Sequence, residues 1–227
     1  MLGILAGMGP KSTGPFVDTV VNQCQKIFGA KYDIDYPHML IYSCPTPFYL
    51  DRDIDHNELE VSIVDGAKKL ESTGVQVIAM PCNTAHLYIN SLRKSLAIPI
   101  LDMVSETVKE ILATAKSVAL LATGPTVKSG LYQEHLRNSG FNYIHKDEWQ
   151  EKVINTIIHI KNGEIDRAKC YWNDLLSDLT GEIDTVIIAC TDLNVVLEKQ
   201  ESLYIVDSSV CLAKPLIKRY LNLSTHS

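Results

Sequence analysis

The sequence predicts an α/β fold made of two similar parallel-sheet halves. Three observations predict it. Short apolar runs rich in β-branched residues alternate with amphipathic stretches, the pattern of parallel strands joined by helices. Three pairs of segments repeat in the same order at nearly the same spacing. The length, 227 residues, suits one large α/β domain or two small ones.

The expected strands are the apolar runs 2–6, 38–43, 75–80, 117–122, 141–145, 185–189 and 203–206, each of strand length and bounded by turn-forming residues. The expected helices are the amphipathic stretches 14–29, 57–73, 103–114, 147–161 and 164–179, with a further helix in the C-terminal "SSVCLAKPLIKRYLNL".

The repeat is read from punctuation. "LGILAGMGPKSTG" near the start resembles "VALLATGPTVKSG", aligning Gly9-Pro10 with Gly124-Pro125. "VQVIAMPCNTAH" resembles "TVIIACTDLNVV", aligning Cys82 with Cys190, and "IPILDMVSETV" resembles "LYIVDSSVCLA", aligning Asp102 with Asp207. A duplication predicts a first domain of residues 1–98 plus 208–227 and a second of residues 99–207. Ligands of open α/β sheets bind at the carboxyl ends of the strands. Two halves facing each other would bring two such ends, each with a cysteine, to one cleft.

Composition removes several function classes. The chain is 46% hydrophobic and 21% charged, with a net charge of −6 and no basic cluster, which argues against nucleic acid as a partner. The N-terminal apolar run lacks a preceding basic stretch and is broken by Gly3, Gly7 and Gly9, unlike a signal peptide. No run reaches the ~18–20 apolar residues of a membrane span. Six cysteines at 24, 44, 82, 170, 190 and 211 form no Cys-x-x-Cys pair. The expectation is a cytoplasmic protein with reduced thiols.

Cys24, Cys44, Cys170 and Cys211 read as small core residues. Cys82 and Cys190 have another context: each closes an apolar strand and precedes Asn83-Thr84 or Thr191-Asp192, residue types that begin helices. A helix N-terminus beside a thiol lowers a pKa that starts near ~8.5, and its free N–H groups cradle a carboxylate. Packing and reactivity both remain open from spacing alone. Cys82 and His86, four apart, lack the further close ligands a structural zinc site needs, so no metal is expected. A Cys82–His86 hydrolase pair would leave Cys190 unexplained.

At these residues the chain resembles the aspartate/glutamate racemase family, pyridoxal-independent enzymes that use two cysteines. The resemblance rests on "GILAGMGPKSTG", "DR" at 51–52, "PCNTAH" at 81–86, "GPT" at 124–126, "IKNGE" at 160–164 and "ACTDL" at 189–193. It implies two Rossmann-like halves with pseudo-twofold symmetry, the active site in the cleft between them, and a homodimer. It implies no cofactor and a small-molecule amino-acid substrate, L- and D-aspartate or glutamate. Cys82 and Cys190 match the catalytic pair. Asn83, Thr84 and Thr191 match residues around the substrate α-carboxylate, Arg52 and Lys161 match cations that recognise a side-chain carboxylate, and Met8 and Thr126 match pocket-lining loops. Three positions depart from the family pattern: Ala189 stands where glycine is usual, Asp192 where glutamate is usual, and Asp53 where threonine is common.

The chemistry implied is general acid–base catalysis from two sides: a thiolate takes the Cα proton from one face while a thiol returns one to the other. Hydantoin racemisation, maleate isomerisation with one covalent thiol, and a silent two-lobed binding protein are the alternatives. Arg52 and Lys161 favour an acidic substrate over a hydantoin. His86 reads more readily as a backbone-bonded helix residue than as a catalyst, and Asp102 and Asp207 as caps. The tyrosines and both tryptophans read as packing.

Overall fold

A computed structural model describes residues 1–49, 52–198 and 203–224. The chain divides into two compact units, Met1–Met103 with Leu212–Ser227, and Val104–Cys211.

In the first unit, β1 (Leu2–Ala6), β2 (Met39–Ser43) and β3 (Val77–Ala79) form a parallel sheet in the order β2-β1-β3. Helix α1 (Thr13–Phe28) joins β1 to β2, α2 (His56–Glu71) joins β2 to β3, and α3 (Ile89–Ser95) follows β3. The apolar runs are near-continuous because both faces of the sheet are covered. Leu2, Ile4, Ala6, Val77 and Ala79 pack on one side with Phe16 and Val20 of α1. Leu5 and Ile78 pack on the other with Leu59, Ile63 and Leu70 of α2. Asp55 starts α2 by accepting the N–H groups of Asn57 and Glu58.

Helix α4 (Met103–Lys109) carries the chain across the division. It is shorter than the expected 103–114.

The second unit holds β4 (Val118–Ala122), β5 (Tyr143–Ile144), β6 (Thr185–Ala189) and β7 (Tyr204–Asp207), all parallel in the order β5-β4-β6-β7. Helices α5 (Gly124–Lys128) and α6 (Leu131–Asn138) follow β4; neither was among the expected helices: α5 has 5 residues, and α6, although amphipathic, has only 8. The hairpin of α7 (Asp147–Asn162) and α8 (Ile165–Leu179) packs over Ala119, Leu121, Val186 and Ile188. Leu120, Ala122, Ile187 and Ala189 face the opposite core with Tyr132 and Leu136. Helix α9 (Ser208–Ser224) follows β7.

The two sheets share an internal order: the first strand lies centrally, the second on one side and the third on the other. The repeat extends further, because Ile100 bridges Ile78 in parallel at the position where β7 pairs with β6 in the second unit. "IPILD" and "LYIVD" therefore occupy equivalent places, one as a single bridge and the other as a strand.

The core assignments of the cysteines need one correction. Cys24, Cys44 and Cys211 are buried, but Cys170 is exposed on α8. Cys170 lies off the buried stripe of α8, formed by Ala168, Trp172, Leu175, Leu176 and Leu179, so the helical period turns it outward. Both tryptophans are buried, as is Tyr132, whereas Tyr32, Tyr49, Tyr171 and Tyr204 are exposed.

Candidate active site

The residues singled out from the sequence lie, with one exception, on chain that leaves the carboxyl end of a strand of their own unit, the end at which α/β proteins bind ligands. Met8 follows β1, Arg52 lies in the segment between β2 and α2, and Cys82, Asn83 and Thr84 follow β3. Thr126 follows β4, and Cys190 and Thr191 follow β6. The exception is Lys161, in the last turn of α7.

In the first unit, β3 ends at Ala79, so Cys82 stands past Met80 and Pro81 rather than at the strand terminus. Cys82 donates its N–H to the Met80 carbonyl at 2.8 Å, a tight turn that lifts the thiol out of the core to partial exposure. The next element is a five-residue 3₁₀ turn, Thr84–Tyr88, and not the start of an α-helix. Asn83 is helical in backbone and makes no side-chain cap there. Asn83 and Thr84 are both buried, at 3% and 7% exposure.

His86 explains how the loop is held. It is 1% exposed. Its Nε2 accepts the Met103 N–H at 3.0 Å, so Nε2 carries no proton and Nδ1–H donates to the Cys82 carbonyl at 2.8 Å. Burial pushes the imidazole pKa below its ordinary value, which keeps the ring neutral. His86 therefore links the Cys82 backbone to the first N–H of α4, a donor the helix cannot satisfy itself. The Cys82–His86 spacing at i, i+4 was the only sign of this in the sequence.

The loop after β1 is held as firmly. Gly7 has φ of +93°, and a Cβ there would meet the Cys44 backbone nitrogen at 2.6 Å and oxygen at 2.7 Å. The Gly7 N–H donates to Thr13 Oγ1 at 3.2 Å, and Ser12 Oγ donates to the Gly9 carbonyl at 2.7 Å. Met8 is 9% exposed and packs in the first unit's core. Arg52 is exposed, with its guanidinium 4.2 Å from the Tyr49 ring centroid; Asp51, the other half of its motif, lies outside the described residues.

In the second unit, Cys190 follows directly on β6, is 8% exposed, and immediately precedes a second five-residue 3₁₀ turn, Thr191–Val195. Thr191 is buried. Thr123 caps α5, and its hydroxyl meets the Thr126 hydroxyl at 3.0 Å, fixing Thr126 in a buried position. Asp207 lies beside the same turn: it accepts the Ser209 N–H at 2.8 Å and Asn194 Nδ2 at 3.2 Å. Burial pushes its carboxyl above the usual range.

Lys161 is held in an ion pair: its Nζ lies 3.0 Å from Asp192 Oδ2. Asp192, one of the departures from the family pattern, is the site residue that sequence reasoning left aside.

The two units thus present matching parts: a cysteine beyond the third strand, a buried threonine after it, and a short 3₁₀ turn. Residues 5–216 match the family model for Asp/Glu/hydantoin racemases. The chain is 52% identical to the broad-specificity amino-acid racemase of Bacillus subtilis (strain 168), over 97% of this chain and 98% of that protein. Among solved structures it is similar to Picrophilus torridus aspartate racemase, with a TM-score of 0.81 and 29% identity over 96% of this chain and 93% of that one. It shares the fold of Francisella tularensis glutamate racemase, solved with D-glutamate, with a TM-score of 0.67 and 17% identity over 98% and 81% of the two chains. The matched cysteine turns, the paired parallel sheets and the family match across nearly the whole sequence lead to one conclusion: the chain belongs to the Asp/Glu/hydantoin racemase family.

Proposed function

We propose that this protein is a cofactor-independent amino-acid racemase that interconverts L- and D-amino acids, aspartate and glutamate among them, using Cys82 and Cys190 as a two-base pair. The observation that carries the reading is the equivalent placement of the two cysteines, one in each unit, at the carboxyl edge beyond the third strand. Cys24, Cys44 and Cys211, the remaining buried thiols, have no such counterpart in the other unit.

The mechanism follows from the stereochemistry. One cysteine, as thiolate, removes the Cα proton from one face; the other, as thiol, gives its proton to the opposite face; the reverse reaction exchanges their roles. The electron pair left at Cα delocalises into the α-carboxylate, and Asn83, Thr84 and Thr191 stabilise the charge that builds there. Their burial supports this role, because fixed dipoles in a water-poor site act more strongly than in solvent. The His86 link fixes the backbone from which Cys82 and Asn83 project. Met8 and Thr126, both buried, serve as walls. Arg52 is the candidate for a side-chain carboxylate. The reading includes a homodimer in the cytoplasm, which light scattering and fractionation test. Among the described residues, no helix is long and apolar enough to cross a membrane.

The deciding experiment is Cα–hydrogen exchange in D₂O across a panel of acidic, neutral and basic amino acids, after dialysis against a chelator and without pyridoxal phosphate. Deuterium incorporation with appearance of the opposite enantiomer is the expected result. Activity that requires added zinc or pyridoxal phosphate would overturn the mechanism. The panel includes 5-substituted hydantoins, because the pairing of Lys161 with Asp192 removes half of the sequence argument against them. Exchange confined to hydantoins would replace the substrate assignment.

A further inference from the structure

The Lys161–Asp192 pair has a consequence for substrate range. Asp192 stands two residues after Cys190, inside the turn Thr191–Val195. Lys161 reaches it from the end of α7, where Gly163, with φ of +82°, stops the helix. The lysine side chain keeps 29% exposure, but that of Asp192 keeps only 5%. The second oxygen, Oδ1, is fully buried and has no hydrogen-bond partner among the described residues. The carboxylate thus depends on Lys161 for its compensation. Drawing Lys161 away to a substrate would leave a buried, uncompensated charge, which is strongly unfavourable.

We infer that Asp192 is a specificity-determining residue: it acts as a resident counter-ion that withholds Lys161 from substrate, so that the surroundings of Cys190 are close to neutral and admit amino acids with uncharged side chains alongside acidic ones. The inference rests on the racemase reading. A substrate carboxylate must compete with an intramolecular one that is already buried and in contact. An uncharged side chain faces no such competition and leaves the Lys161–Asp192 pair intact.

The test is a comparison of kcat/KM for aspartate and alanine in the wild type, Asp192→Asn, and the double variant Asp192→Asn with Lys161→Met. Asparagine keeps the size of Asp192 and removes its charge. Lys161, released, should then raise the aspartate-to-alanine ratio about tenfold, the scale of one partly screened unit charge. The double variant removes both charges and should return the ratio to within about twofold of wild type. A ratio unmoved in Asp192→Asn overturns the inference, because the carboxylate would then not be restraining the lysine. A collapse of the ratio in the double variant also overturns it, since Lys161 would already be serving acidic substrates in the wild type. If Asp192→Asn does not fold, the double variant alone decides. A loss equal for both substrates is a structural effect and leaves the ratio unmoved, which counts against the inference. Failure of the wild type to racemise any amino acid is a different result: it removes the racemase reading itself.

Discussion

Replacing His86 with phenylalanine tests the link between Cys82 and α4. The substitution keeps an aromatic ring of similar outline and deletes both nitrogens. Two partners are lost: the Cys82 carbonyl, now accepting at 2.8 Å, and the Met103 N–H, now donating at 3.0 Å. Each unsatisfied buried backbone group costs about 1–3 kcal/mol, so the predicted loss is roughly 2–6 kcal/mol. That is a large share of the ~5–15 kcal/mol that holds a typical domain. The penalty should depend on pH with a definite sign. The imidazole pKa is lowered in the folded state by burial. The unfolded histidine, with pKa near ~6.5, therefore takes up a proton first as pH falls. The wild type loses stability from that point down to the folded pKa, by up to about 1.4 kcal/mol per pH unit, and the variant does not. Urea unfolding at several pH values reads both quantities. The gap between wild type and variant should be full above about pH 6.5 and shrink below it. A gap independent of pH, or one that widens in acid, would refute the neutral, doubly bonded imidazole. Racemase activity should also fall in the variant at temperatures where it stays folded, because the backbone beneath Cys82 is no longer fixed.

Other predictions concern the site more directly. Cys82→Ser and Cys190→Ser should each abolish racemisation, while each still exchanges the Cα hydrogen of one enantiomer slowly with solvent, opposite enantiomers for the two variants; NMR in D₂O reads this, and the same preference in both would end the two-base scheme. Gly7→Ala should destabilise the protein by roughly 2–4 kcal/mol, because it adds both left-handed backbone strain and a clash with the Cys44 backbone; a thermal shift within error would show that the loop adapts. Asp207→Asn should stabilise the fold at neutral pH, since burial raises the folded pKa of Asp207 and the charged form carries the penalty. That gain should fade as pH drops toward the unfolded value of about 3.9, and a gain that grows in acid would reverse the assignment.

Much of the fold was legible because a parallel strand covered on both faces is written as an unbroken apolar run. Leu2–Ala6, Val118–Ala122 and Thr185–Ala189 coincide with their expected bounds to within a residue. Helix α5 was not legible, because its 5 residues are too few to show a period; α6 is amphipathic but, at 8 residues, shorter than the ~11-residue window over which a period is read. Cys82 and Cys190 stood out because polar turn formers interrupt apolar sequence at both, a local signal. The kind of turn was not legible: Asn, Thr and Asp begin 3₁₀ turns as readily as α-helices, and the packing of the following chain decides which.

By itself the sequence determined the layered α/β class, the repeat and the strand-end context of Cys82 and Cys190, all read from local patterns and from their recurrence in the second half of the chain. Only the tertiary structure decided what the charged residues do. Lys161 and Asp192 lie on different elements, and whether a lysine at a helix end points to solvent, substrate or a buried carboxylate depends on the approach of α7 to the turn after β6. His86 likewise gains its second partner from Met103, beyond α3. Local pattern fixes which element forms; the partner of a polar side chain is set by the non-local packing that brings it within about 3 Å.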